Sequence, residues 1–165
     1  MSALPPEESP GFLLWRATLR WQRRIAAALL PYELTHVQFV LLASVWWLNE
    51  HGTEPNQLAL ATHAGTDVKM TSEVLRALER RGLVERGIDP DDTRARLVRA
   101  TGSGAALAPR AIEAVERADA EFFAPVARAR AVSLLSRLGA PPGPESSDAS
   151  RGTPPARAAP LPGRG

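Results

Sequence analysis

Apolar positions recur along this chain mostly at a helical spacing and in two places at a strand spacing, and that alternation predicts its elements. Ser9 is placed to cap a helix whose first residue is Pro10, where a missing amide costs nothing. Phe12, Trp15, Leu19, Ala26 and Leu29 mark its apolar side as far as Leu30, with Gln22 polar within the stripe and Arg16, Arg20, Arg23 and Arg24 on the remainder. Pro31 closes it. Thr35-His36-Val37-Gln38 then has the spacing of a capping box. Beyond it Val37, Val40, Leu41, Ser44, Val45 and Leu48 form one face, while Phe39, Leu42, Trp46 and Trp47 make most of the others apolar too. A helix apolar nearly all round is expected at the centre of the fold. Asn49-Glu50-His51-Gly52 ends it.

The next stretch reads in one pass as helix, turn, helix, strand, charged loop and strand. Asn56 to His63 is a short helix with Leu58, Ala59 and Thr62 spaced for one face. Gly65 breaks it, Asp67 offers a cap, and Val68 to Arg81 resumes a helical period with Met70, Val74 and Leu78 four apart. Gly82 stops that helix. Leu83 to Arg86 and Ala95 to Val98 are strand candidates, and Asp89-Pro90-Asp91-Asp92-Thr93-Arg94 between them has the composition of an exposed turn.

Two short helices followed by a charged hairpin predict a winged helix-turn-helix, within a fold that is mainly α with a small β wing. The second helix would bury Val74, Leu75 and Leu78 and turn Lys69, Ser72, Glu73, Arg76 and Arg80 outward, a row suited to a DNA major groove. Arg94 at the hairpin tip would reach the minor groove or the phosphate backbone. Asp92 would shape the wing by accepting from loop amides or by holding Arg94. Arg96 and Arg99 admit two readings, since one side of a narrow hairpin faces its own domain: either contacts DNA or pairs with an acid such as Glu85.

After the wing, Thr101 can cap a helix reaching about Phe123, with Leu107, Ile112 and Val115 on its apolar side and Pro109 expected to bend or delay it. A last helix is expected from Pro125 to near Leu138. The first helix and the last two carry more apolar residues than a small monomer hides, which suggests a two-fold pairing that sets two reader helices about 34 Å apart. Residues 1–8 read as a loose N-terminus. Residues 139–165 hold seven prolines and five glycines, with Leu161 the only large aliphatic residue, and are predicted to be disordered.

Composition adds mainly exclusions. The net charge is +2 with a pI near 9.9, and between Asp67 and Ala100 eight basic residues face seven acids, so a DNA reading depends on where the charges stand and not on their sum. Cysteine is absent, which removes disulfides, thiolate nucleophiles and iron–sulfur ligation. No run approaches 18 apolar residues and the N-terminus carries Glu7 and Glu8 in place of a basic leader, so a soluble cytoplasmic chain without membrane contact is expected. His36, His51 and His63 lack metal-ligand spacing, and Asp89, Asp91 and Asp92 lack the other ligands of a calcium loop. There is no glycine-rich phosphate loop and no nucleophile elbow. No metal, cofactor or enzyme activity is expected.

Taken in order, Leu34-Thr35-His36-Val37-Gln38-Phe39-Val40-Leu41-Leu42, Leu58-Ala59, Leu78 to Arg86, Asp89 to Arg94, and Val98 to Thr101 with Gly104 resemble the MarR family of winged helix-turn-helix transcriptional regulators, over about Phe12 to Leu138. The resemblance implies a homodimer built through helices 9–30 and 101–138, a reader module at about 53–100, and a pseudo-palindromic double-stranded DNA operator. It implies a repressor released by a small aromatic or phenolic effector. It also matches Asp92 and Arg94 to the wing aspartate and arginine of the family, and sets Ser72, with Thr71 beside it, where many relatives have threonine. The candidate DNA contacts are then Lys69, Thr71, Ser72, Arg76, Arg80, Arg94 and Arg96. Ala100 stands where leucine is usual. Trp15, Tyr32, His36 and Trp46 are candidate effector-binding residues, with core packing as the competing reading of the aromatics. The alternative function is a winged-helix protein-interaction module without sequence-specific DNA binding, favoured by the near balance of charge.

Overall fold

The computed structural model describes residues 4–88 and 96–139. A single 3-10 turn, Pro6–Glu8, precedes α1 (Pro10–Leu29). Ser9 caps α1 by accepting from the Phe12 amide at 3.4 Å. A second 3-10 turn, Leu30–Tyr32, leads through Glu33 to α2 (His36–Glu50). There the capping box forms, with Gln38 N donating to Thr35 Oγ1 at 3.3 Å and Thr35 N to Gln38 Oε1 at 3.0 Å. Next come α3 (Gln57–Ala64), α4 (Val68–Arg80), the antiparallel pair β1 (Val84–Ile88) and β2 (Arg96–Ala100), α5 (Gly102–Phe123) and α6 (Arg128–Gly139). The fold is mainly α with one small β wing.

Helix α2 is the central element, packed against α1, α3, α4, α5 and β2. Its Leu41, Leu42 and Val45 are fully buried together with Ile25, Leu29, Leu60, Leu75, Leu78 and Val98. Each such side chain contributes roughly 1.5–3 kcal/mol. That exceeds any single cap, so burial sets the rotation of each helix about its axis.

Burial departs from the sequence reading in two helices. In α3 the buried residues are Leu60 and Ala61, while Leu58, Ala59 and Thr62 face outward. The helix is so short and apolar that its spacing does not choose a face; contact with α2 and α4 does. In α1 the inward row ends on Ile25 and Leu29, and Phe12, Trp15 and Ala26 are exposed. In α5 the chain continues through Pro109, which sits at an exposed position between the buried Ala108 and Ala111. Packing on both sides holds the helix despite the missing amide. Helix α6 starts at Arg128, three residues later than Pro125.

The strands reach further than predicted, pairing Val84 with Ala100, Arg86 with Val98 and Ile88 with Arg96. Position 104 joins hairpin to helix: a Cβ there would lie 1.9 Å from the Leu83 carbonyl oxygen, so only glycine allows the approach. Thr101 caps α5 at the same place, accepting from Gly104 N at 3.1 Å and donating its hydroxyl to Gly82 O at 2.6 Å. Gly82 ends α4 at φ 67°, with Leu83 N bonded to Leu78 O at 3.0 Å and Gly82 N to Glu79 O at 2.9 Å, the paired bonds of a Schellman stop.

Residues up to Ala127 form one compact unit and α6 belongs to a second. Helix α6 exposes Val132, Leu134, Leu135 and Leu138. Among the described residues no single helix is long and apolar enough to cross a membrane. The expectations for Asp92, Arg94, Met1 to Ala3 and the tail beyond Gly139 lie outside the described residues.

Candidate nucleic-acid interface

The reader helix is held from its first turn. Asp67 Oδ1 accepts from the Met70 amide at 2.8 Å, and Gln57 Nε2 on α3 donates to Val68 O at 3.3 Å. The Thr71 hydroxyl donates to Asp67 O at 2.8 Å and shares a 2.7 Å bond with the Thr66 hydroxyl. Thr71, Leu75 and Leu78 share the inward face at helical spacing and are all fully buried. This corrects one candidate: Thr71 has no surface with which to touch DNA, and Ser72, one position on, is half-exposed in its place. Lys69, Glu73, Arg76 and Arg80 face solvent. Among the described residues, Lys69, Glu73, Arg76 and Arg80 enter no ion pair.

The hairpin treats its cations differently. Arg86 grips Glu79 at the end of α4, with its Nε 3.0 Å from Oε2. The Arg86 hydrogen bond lowers the Glu79 carboxyl below its usual pKa, against a smaller opposing effect of burial, and the charges of Arg86 and Arg96 add to the lowering. Arg99 pairs with Glu54 at 2.6 Å. The Glu54 hydrogen bond and charge raise its guanidinium pKa against a smaller opposing effect of burial, and the charge of Glu85, its partner across the hairpin, adds the least. Arg96 stands exposed at the start of β2.

Two polar residues missed in the sequence join distant elements: Asn49 fixes β2 to α2, and Arg81 ties the end of α4 to the turn before α2. The Asn49 side chain accepts from Ala100 N at 2.8 Å and donates to Thr53 O at 3.0 Å and Val98 O at 3.4 Å. Arg81 donates to the Glu33 and Tyr32 carbonyls. A third strand-like partner also went unpredicted: Asn56 bridges Leu97, and Val98 N donates to Pro55 O at 2.9 Å.

The four effector candidates do not converge. An open cavity of about 400 Å³ lies between α1 and α5, lined by Arg24, Ala28, Pro31, Tyr32, Arg117 and Ala118 among others. Tyr32 is the only candidate in its wall, with the Arg110 guanidinium 5.9 Å from its ring centroid. Trp15 is 60% exposed. Trp46 stands ten residues beyond His36 on one helix, about 15 Å away, and packs against the core. His36 meets Trp21 edge-on at 4.9 Å, and Trp21 Nε1 donates to Asp119 at 2.7 Å. Burial lowers the His36 pKa, with Asp119 opposing. Ala28 on α1 and Ala118 on α5 both line this gap, a juxtaposition that no spacing in the sequence marks. His51 stacks on Trp47 at 4.1 Å, and among the described residues no group of three metal-ligating side chains assembles.

The sequence model of the MarR family matches residues 34–95. An HTH-type transcriptional regulator of Bacillus subtilis, YdcH, is 45% identical over 119 residues, which cover 72% of this chain and 81% of that protein. The chain belongs to the MarR family. This MarR-family chain is therefore a DNA-binding transcriptional regulator and not an enzyme. Among solved structures it is similar to the PcaV regulator of Streptomyces coelicolor in complex with its natural ligand, with a TM-score of 0.71 at 25% identity over 84% of this chain and 94% of that one. A mutant MarR of E. coli complexed with operator DNA is also similar, with a TM-score of 0.69 at 25% identity over 83% and 96%.

Proposed function

We propose that this chain is a cytoplasmic homodimeric repressor that holds a pseudo-palindromic operator and is released by a small aromatic or phenolic effector. The observation that carries the DNA half is the outward row of Lys69, Arg76 and Arg80 beside Ser72, without ion pairs among the described residues, on a helix capped and packed from behind. Arg76 and Lys69 face base edges in the major groove, Arg80 the phosphates, and Arg94 and Arg96 the neighbouring groove or backbone. Asp92 shapes the wing. Similarity to a MarR protein complexed with operator DNA supports this orientation. The exposed apolar residues of α1 and α6, including Phe12, Trp15, Leu134 and Leu138, supply the surface for pairing two copies.

Selection of bound duplexes from random sequence tests the reading. A palindrome with half-sites one helical turn apart is expected, and no enrichment, with binding to a protein partner instead, would favour the interaction-module alternative. Arg94→Ala should weaken operator binding with the melting temperature unchanged.

For the effector we propose the cavity beside Tyr32. Its alanine floor suits an aromatic ring, and its volume falls within the range of small-molecule sites; Arg24 and Arg117 stand at it in exposed pairs with Glu121 and Glu113, so a carboxylate on that ring would bind by exchanging with one of those acids. Similarity to PcaV in complex with its natural ligand supports a ligand-responsive member. Titration with 4-hydroxybenzoate and related acids should release the operator; unchanged binding across such a panel would remove the effector from the proposal.

A further inference from the structure

We infer that Arg81 is a positioning residue that ties the wall of the cavity beside Tyr32 to the reader helix α4, so that a change in the cavity is felt at the DNA-facing side chains. The inference rests on the regulator reading above for its purpose, but the tie itself is a matter of geometry. Arg81 is the residue on which α4 ends. Its Nη1 donates to Glu33 O at 2.6 Å and its Nη2 to Tyr32 O at 3.3 Å, across 48 and 49 residues of chain.

Those two carbonyls belong to an unusual turn. Glu33 has φ 54° and ψ 32° and is the only non-glycine residue of positive φ among the described residues. A side chain in the left-handed region persists only where its surroundings hold it there. Here the holding groups are two backbone bonds, Glu33 N to Leu30 O at 3.0 Å and Leu34 N to Leu29 O at 3.5 Å, together with the Arg81 fork.

Tyr32 therefore has two roles in one residue. Tyr32 lines the cavity, its ring lies under the Arg110 guanidinium, and its carbonyl accepts from Arg81 at the end of the reader helix. A ligand that shifts the ring drags the carbonyl pair, and α4 loses or keeps its anchor accordingly. Arg80 is the adjacent residue and Arg76 little more than one helical turn away, so a tilt of this helix end moves the proposed DNA contacts directly. The ligand shifts the equilibrium only through its different affinity for the held and released turn. A planar guanidinium fork can hold two neighbouring carbonyls at once, which a lysine ammonium does poorly.

A double-mutant cycle on the full chain tests this, with affinity read on the selected operator. Arg81→Gln and Tyr32→Ala should each weaken binding about fivefold, within the usual range of coupling between sites, and the double variant should be no worse than the weaker-binding single variant. Ala118→Leu, which fills the cavity from α5, gives an independent perturbation should Tyr32→Ala fail to fold. Additive losses, or no loss in either single variant, overturn the inference. So does full binding by Arg81→Lys, or a salt slope shallower by about 0.9 in Arg81→Gln, which would make Arg81 a phosphate contact. A second readout needs no DNA. Tyr32→Ala should speed amide exchange at Ala77 to Arg80 in the Arg81 protein and not in Arg81→Gln; equal exchange in both backgrounds overturns the tie. If the unmodified protein binds no duplex while this exchange coupling is present, the regulator reading fails and the tie stands.

Discussion

Helix α4 and the hairpin beside it carry the same kinds of side chain under opposite conditions. On α4, Lys69, Arg76 and Arg80 extend into solvent with no acid holding them among the described residues, while in the hairpin Arg86 is locked to Glu79 and Arg99 to Glu54. A cation already paired within its own domain gains little by approaching a phosphate, because it must give up one partner to gain another. The near balance of charge in this module therefore does not argue against DNA. Glu79 holds a hairpin cation, as does Glu54 from outside the module, and the outward face of α4 carries Lys69, Arg76 and Arg80 against Glu73 alone, a positive excess.

The comparison breaks most completely if the two regions lose their common seat. Gly104→Val should cost about 3 kcal/mol or more, since the Leu83 carbonyl occupies the space of the new side chain. Thermal unfolding monitored by far-UV circular dichroism would show the loss, and an unchanged melting temperature would contradict the close approach. Next in size, Arg76→Ala should reduce operator affinity about tenfold to a hundredfold, corresponding to one good base contact of about 1–3 kcal/mol. It should do so with far less effect on scrambled duplex.

Replacing a held cation's partner should have a smaller effect and leave binding nearly intact. Glu79→Gln should cost less than about 1 kcal/mol, because the carboxylate is 39% exposed and solvent screens it. Its folded pKa is depressed, so the stabilisation is present above the usual carboxylate value of about 4.5 and is lost as pH falls through the lower folded value. Acid unfolding curves of the two proteins should converge at the acid end; a gap that widens there would reverse the sign. Smallest of all, Leu58→Ser should lie within about 0.5 kcal/mol of neutral. Leu60→Ala should cost about 2–5 kcal/mol, and denaturant melts of the two would confirm which face of α3 is inside.

What could be read from the chain alone divides along a physical line. Caps and stops are local chemistry, so Ser9, Thr35 with Gln38, Asp67, Gly82 and Thr101 marked their helix ends correctly. The outward row of α4 was legible for the same reason, since its charged and apolar residues segregate sharply. The face of α3 was not, because nearly every residue in it is apolar or small and only its neighbours decide the rotation. Thr71 was misplaced by a single helical position, and a hydroxyl that bonds its own helix start looks in sequence like one available to DNA. The bonds of Asn49 and Arg81 span about fifty residues, and no spacing rule reaches that far. The cavity was invisible for a related reason: it is made by what alanines at 27, 28, 114 and 118 leave empty.

The three bonds of Asn49 carry a consequence for how such a protein can be altered. With its side chain bonded to Val98 O and Ala100 N, Asn49 fastens α2 to the strand that returns from the hairpin. A displacement of α2 would therefore pass to β2 through the two backbone groups that Asn49 holds, without travelling along the roughly fifty residues of chain between them.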